Sequence, residues 1–242
     1  MAITLCFDFG NTRKKCGVFD KRELREVVVL ENGSVEEIEV LVKRFQPDRS
    51  VLSSVVKHDP EIERILSAAS HFHKVNHHSA LTVTTPVGKP DTIGADRLAL
   101  CMAAVALFPG GNNLVIGLGT CITYNFINIH AEFLGGAISP GMEMRFRSMH
   151  EYTALLPLVQ KDWNFPLLGY DTRTNILSGV ILGMAKEIDG MIDAYSERYS
   201  NFNVLLTGGD APYFVPHLKN KIFADPDLIF RGLLMISEHN YA

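Results

Sequence analysis

The stretch Asp8-Phe9-Gly10-Asn11-Thr12 places a carboxylate directly before a glycine turn. The apolar alternation Ile3, Leu5, Phe7 leads into it and Cys16 and Val18 lead away, which predicts a hairpin with the carboxylate at its tip. Glycine lets a backbone come close to a ligand, and successive turn N–H groups form an anion-binding concavity. A carboxylate there would repel phosphate itself but suits a hydrated Mg²⁺ that carries phosphate. The same residues also make an ordinary hairpin turn, so the phosphate reading depends on what else in the chain agrees. Lys14 and Lys15 follow on the returning strand, where they add positive charge or are plain exposed strand lysines.

A second copy of the pattern agrees with the first. Leu114-Val115-Ile116-Gly117-Leu118-Gly119-Thr120 is again an apolar strand running into a Gly-Thr turn, and Ile122–Ile127 returns. Two such units a little under half the chain apart predict two related α/β halves; a solenoid would need many short repeats. Gly208-Gly209-Asp210, between an apolar run and a helix pattern, is a third glycine turn.

The elements that must position these turns follow from periodicity. A strand over 24–30, a helix over 35–45 that ends before Pro47, a strand over 50–56 and a helix over 60–70 opened by Asp59-Pro60-Glu61 come first. Short strands near 72–75 and 81–84, a loop over 85–93 and a helix over 95–108 complete the first half. Pro109-Gly110-Gly111-Asn112-Asn113 is the best boundary. The domains expected are therefore residues 1–110 and 111–242. In the second, strands over 113–118, 121–128 and 131–138 precede a helix through Met149. A long helix over 172–198, a strand over 203–207 and helices near 211–219 and 228–238 follow.

The chain has 242 residues, 47% hydrophobic and 21% charged, with a net charge of −4. That is an ordinary globular composition with no support for a nucleic-acid or membrane-surface partner. No apolar run reaches a membrane span, and Met1 leads directly into a strand without a signal-peptide pattern, so a cytoplasmic protein is expected. The four cysteines lack Cys-x-x-Cys spacing and are read as reduced. Cys6 and Cys16 would face each other if the first hairpin turns about Asn11. The histidines of His71–His78 have no acidic or Cys partner at ligand spacing and are read as surface rather than metal ligands.

Taken in order, Asp8–Thr12, Gly94-Ala95-Asp96-Arg97, Gly119-Thr120, Gly135-Gly136-Ala137-Ile138-Ser139-Pro140-Gly141 and Thr207-Gly208-Gly209-Asp210-Ala211 resemble the motifs of type III pantothenate kinases. The resemblance covers essentially the whole chain. It implies the fold of the acetate and sugar kinase/actin superfamily: two ribonuclease H-like (actin-like ATPase) halves, mixed sheets flanked by helices, with the active site in the cleft between them. It implies ATP-dependent phosphorylation of the 4′-hydroxyl of pantothenate, the first step of coenzyme A synthesis. Mg²⁺, a monovalent cation such as K⁺ or NH₄⁺, and a homodimer come with it. The alternatives are a non-catalytic nucleotide-binding or regulatory relative, and a superfamily kinase for another small anionic hydroxy compound.

Within that resemblance, Asp8 holds Mg²⁺ through water, and Gly10, Asn11, Thr12, Lys15, Gly119 and Thr120 bind the phosphates. Gly208 and Gly209 lie on the adenosine side. Asp96 is the expected general base, in the first turn of a helix whose dipole favours a carboxylate. Neighbours at i,i+1 do not face each other, so Arg97 is expected to grip a substrate carboxylate with its planar fork. Gly94, Ala95, Gly136 and Thr172 complete the substrate side. Thr172, in Gly169-Tyr170-Asp171-Thr172, is expected to reach pantothenate from the partner subunit, or to cap its helix, or both. The chain departs from the family at Gly117 and Asn125, where Asp is usual, and near Val87, where Tyr is usual. The first two lie on the phosphate and cation side and bear on the monovalent-cation requirement.

Overall fold

A computed structural model describes residues 2–241. Their contacts divide them into two units. The first comprises residues up to Gly110, Ile127–Leu134 and the segment from Asp227 on; the second comprises Gly111–Phe126 and Gly135–Pro226.

The first unit is built on β1 (Ile3–Phe9), β2 (Lys14–Asp20), β3 (Glu23–Leu30), β4 (Arg49–Ser54) and β5 (His71–Lys74), in the order β3-β2-β1-β4-β5. β1, β2 and β3 are antiparallel, whereas β4 and β5 run parallel to β1. Parallel neighbours require crossovers, and α1 (Val35–Phe45) and α2 (Pro60–Ala69) supply them. Ser34 and Glu37 cap α1 reciprocally, each side chain taking the other's backbone N–H. The Asp59 carboxylate accepts from Glu61 N at 2.9 Å, with Pro60 at the first helical position of α2. Leu5, Phe7, Phe9, Cys16, Val18 and Leu52 turn one sheet face toward Ile38 and Leu41 of α1 and Ile62 and Leu66 of α2. The other face receives α3 (Ala95–Leu107) and α8 (Leu228–Asn240). There Gly17 lies beneath Phe230 of α8, and Gly232 lets α8 touch the backbone of α3 at Ala99.

The second unit repeats the plan. Its strands β6 (Asn112–Leu118), β7 (Cys121–Ile127), β8 (Phe133–Pro140), β9 (Phe202–Thr207) and β10 (Phe223–Ala224) lie in the order β10-β9-β6-β7-β8. Read from the other edge, this is the arrangement of the first sheet, strand for strand. A hairpin-linked trio is extended by parallel strands on the side of its first member. The core beneath it joins β6 and β7 to α4 (Met142–Glu151), α5 (Thr172–Leu177), α6 (Gly183–Ser196) and α7 (Ala211–Phe214).

Several expectations need correction. No strand forms at 81–84; Thr84 makes only a single bridge to Glu132, through Thr84 N to Ala131 O and Phe133 N to Thr84 O. The long helix expected over 172–198 is interrupted by a π turn at Ser178–Leu182, between α5 and α6. The helix near 211–219 is a single four-residue turn followed by a 3₁₀ turn at Val215–His217. Pro216 follows the first of these, where it cannot donate to a continuing helix. The first hairpin pairs Cys6 with Gly17 and Phe7 with Cys16, one residue off the register that would bring the two cysteines together. A one-residue shift sends them to opposite faces. All four cysteines are free thiols.

Candidate active site

Asp8 sits at the carboxyl-terminal end of β1, the central strand of its sheet, in register with Lys15 on β2 and Ser53 on β4. Gly10 N donates to Arg13 O at 3.1 Å and closes the turn that carries Asn11 and Thr12, both exposed. Asp96, in the first turn of α3, is near enough for its charge to act on Asp8. Its Oδ1 accepts from Arg97 N at 2.8 Å. The N-cap, Gly94, offers no side chain of its own, and a Cβ there would run into the Asp96 carboxylate. Ala95 is buried at the helix start. The Arg97 guanidinium lies 5.3 Å from the centre of the Phe133 ring.

The electrostatics follow from the burial of two acids near each other. Asp8 is pushed up to about 7, mainly by burial and then by the charge of Asp96, with Lys15 pulling the other way. Burial also raises Asp96, against the opposing pull of the Arg97 N–H and charge. Two buried carboxyls stand here against the charges of Lys15 and Arg97. A hard divalent cation with oxygen ligands fits such a donor set.

Sequence reasoning missed the support behind β1. Val55 N donates to Phe9 O at 3.1 Å, and the His58 ring meets Phe9 edge-on at 5.7 Å. His58 bridges Ser54 Oγ at 3.0 Å and Glu63 Oε1 at 2.8 Å, and so pins the end of β4 alongside the end of β1. The Ser-x₃-His-x₄-Glu spacing is the only trace of this in the sequence.

In the second unit, Gly119 and Thr120 form the two-residue turn between β6 and β7, closed by Gly119 N to Cys121 O at 3.1 Å. Glycines press on this turn from two sides. Gly208, at φ +100°, lies against the Leu118 carbonyl, and Gly141 lies against the carbonyls of Gly119 and Thr120; a Cβ at either would collide. Asp210 N reaches Leu118 O at 3.3 Å, while Gly209 lies within the connection from β9 to α7. Gly136 lies within β8, packed so closely on the Tyr124 carbonyl that a side chain has no room.

Thr172 is the first residue of α5 and is exposed, but it is not the cap. That role belongs to Asp171, whose carboxylate accepts from Thr174 N at 2.7 Å. At the departures, Gly117 has no side chain to offer. Asn125, fully buried, turns its Nδ2 to Val115 O at 3.2 Å and Thr123 Oγ1 at 3.3 Å. Among the described residues, no group of three or more His, Cys, Asp or Glu is placed to hold a metal directly, the His71–His78 run included. None of their helices is long and apolar enough to cross a membrane.

The family model for type III pantothenate kinase matches residues 4–194. The chain belongs to this family. A type III pantothenate kinase of Christiangramia forsetii is 40% identical over 98% of this chain and 99% of its own. Among solved structures, a Campylobacter jejuni protein described as a Baf family transcriptional activator has a TM-score of 0.62 at 21% identity, covering 98% of both chains. A glucokinase from an Antarctic psychrotroph has a TM-score of 0.52 at 11% identity, covering 98% of this chain and 99% of that one. At these identities the likeness is one of fold, the two-sheet architecture shared with sugar kinases.

Proposed function

We propose that the protein transfers the γ-phosphoryl group of ATP to the 4′-hydroxyl of pantothenate, opening coenzyme A synthesis. The observation that carries this is the convergence of Asp8 and Asp96, from a strand end and a helix start, in a member of the type III pantothenate kinase family. Phosphoryl transfer passes through a loose transition state that asks mainly for alignment and charge neutralisation. Asp96, raised above its ordinary value by burial, is suited to accept the hydroxyl proton as the acceptor oxygen bonds to phosphorus. Arg97 supplies the charge for pantothenate's carboxylate, with Gly94, Ala95 and Gly136 assigned to the acceptor side. Lys15 and the Gly10–Thr12 turn hold phosphate oxygens, as does the Gly119-Thr120 turn, while Gly208-Gly209 takes the adenosine side. Asp8 is the residue to hold Mg²⁺ through water; when bound, that ion neutralises the phosphates and the buried carboxylate together.

The monovalent cation is a different matter. Neither Gly117 nor Asn125 offers a carboxylate, and the Asn125 amide is committed within its sheet. Those two positions therefore give a monovalent cation no charged ligand, and the transfer is assigned to the groups above alone.

The proposed assembly is a homodimer in the cytoplasm. Tyr152, Leu155, Leu167, Leu168 and Tyr170 are each 81–91% exposed, an apolar surface of the kind that a protein partner covers. Thr172, two residues beyond Tyr170, would be covered with it and presented to the other copy.

The test is ADP release from MgATP with and without pantothenate, in K⁺, NH₄⁺ or neither, with Asp96→Asn as control. We expect pantothenate-dependent release that changes less than about threefold among the buffers and falls at least a hundredfold in the variant, as for loss of a general base. Pantothenate-independent release, or full activity in Asp96→Asn, would refute the assignment.

A further inference from the structure

Arg145 belongs to none of the motifs above, yet its side chain ties together the elements behind the Gly119-Thr120 turn. It projects from the first turns of α4 back to the junction with β8. There its Nε donates to Pro140 O at 2.8 Å and its Nη2 to Ser139 Oγ at 3.0 Å. The same Nη2 is paired with Glu187 of α6. Glu187 in turn accepts from Tyr124 OH of β7 at 3.2 Å. Burial and the neighbouring Glu187 hold the Tyr124 phenol above its ordinary value, so it remains a donor. Arg145 and Glu187 are 22% and 27% exposed, shielded enough for the fork to keep one geometry.

What this fork fixes is the residue that follows Pro140. Gly141 N donates to Thr120 O at 3.0 Å, and Gly141 packs on the carbonyls of both Gly119 and Thr120 with no space for a Cβ. Gly208 presses from the other side on Leu118, where Lys161 Nζ donates to Asp210 Oδ1 at 3.2 Å. A shift of Pro140 is therefore passed through Gly141 directly to the turn. We propose that Arg145, braced by Glu187, is a positioning residue for nucleotide binding: it sets the Gly119-Thr120 turn through Ser139, Pro140 and Gly141. This rests on that turn's role as a phosphate site, and it concerns nucleotide rather than pantothenate.

Arg145→Lys separates positioning from mere stabilisation. Lysine keeps a charge opposite Glu187 but cannot serve Pro140 O, Ser139 Oγ and Glu187 with one rigid fork. We expect the melting temperature to stay within a few degrees of wild type while KM for MgATP rises about tenfold and KM for pantothenate stays within twofold. Ser139→Ala, which removes a single contact, should raise KM for MgATP two- to threefold and serves if Arg145→Lys does not fold. Calorimetric Kd values for MgATP without pantothenate should move with these KM values. An unchanged affinity for MgATP in a folded Arg145→Lys, or equal rises in both KM values, would overturn the proposal. So would a wild type that binds no MgATP. A wild type that binds MgATP without pantothenate-dependent turnover would overturn the acceptor assignment instead, with the Kd values still deciding on Arg145.

Discussion

A single carboxyl group carries much of the tension in this molecule. Asp8 has an ordinary value of 3.8 and is pushed up to about 7 in the fold, so the folded state holds a proton that the unfolded chain releases. Stability then falls as pH rises through the window from about 4 to about 7, because the native state binds more protons there. At one pH unit per 1.36 kcal/mol, the cost at pH 8 is on the order of 4 kcal/mol as an upper figure. Asp8→Asn keeps the shape and removes the charge. We expect it to melt higher than wild type at pH 8, to converge on it below about pH 4, and to lose turnover throughout. Thermal melts of both proteins across that range check the sign; a wild type that gains stability from pH 5 to 8 relative to Asp8→Asn contradicts it. Mg²⁺ should narrow the gap at pH 8 by stabilising wild type alone, an outcome that would tie the unfavourable burial to the proposed Mg²⁺ role of Asp8.

At the scale of elements, local signals and long-range packing divide the molecule between them. The strand-turn-strand pattern around Asp8 and its copy around Gly119 were legible because each is an apolar strand run ending in glycine chemistry, and the two sheets repeat strand for strand. Asp59-Pro60 marked the start of α2 for an equally local reason. The Cys6–Cys16 register was not legible, since it depends on where a four-residue turn closes. Nor was the π turn at Ser178–Leu182, which interrupts a sequence of good helical period. The placement of α8 shows the limit best. It follows the second half in sequence yet docks on α3 and the first sheet, through a contact visible only in three dimensions. Gly232 permits that contact by lying against the Ala99 backbone, where a Cβ would collide. Gly232→Val should force α8 away from α3 at about 1–3 kcal/mol or more, the usual cost of overpacking. Chemical denaturation gives the number directly. An unchanged midpoint and slope would show that the helices part at no cost.

For the whole molecule, the unanswered surface is the segment between α4 and α5. Its apolar side chains leave a core that is otherwise well filled, with Trp163 stacked on His217 at 4.5 Å and Leu156 and Phe165 packed inward. The same segment turns Leu155, Leu167 and Leu168 outward, each more than four-fifths exposed. Neighbours in one short stretch thus divide into a packed set and an unpacked set, and the proposed second copy would cover the unpacked one. A symmetric dimer meets that requirement at least expense in sequence, since the same patch serves both sides. The chain of 26.9 kDa should therefore run at about twice that mass in light scattering at micromolar concentration. Leu167→Glu with Leu168→Glu, which touch neither sheet nor the Asp8–Asp96 pair, should yield a folded monomer with unaltered MgATP affinity. Its KM for pantothenate should rise sharply if Thr172 acts across the interface. A wild type that is monomeric throughout, or a monomeric variant with full pantothenate affinity, would place the whole acceptor site within one chain.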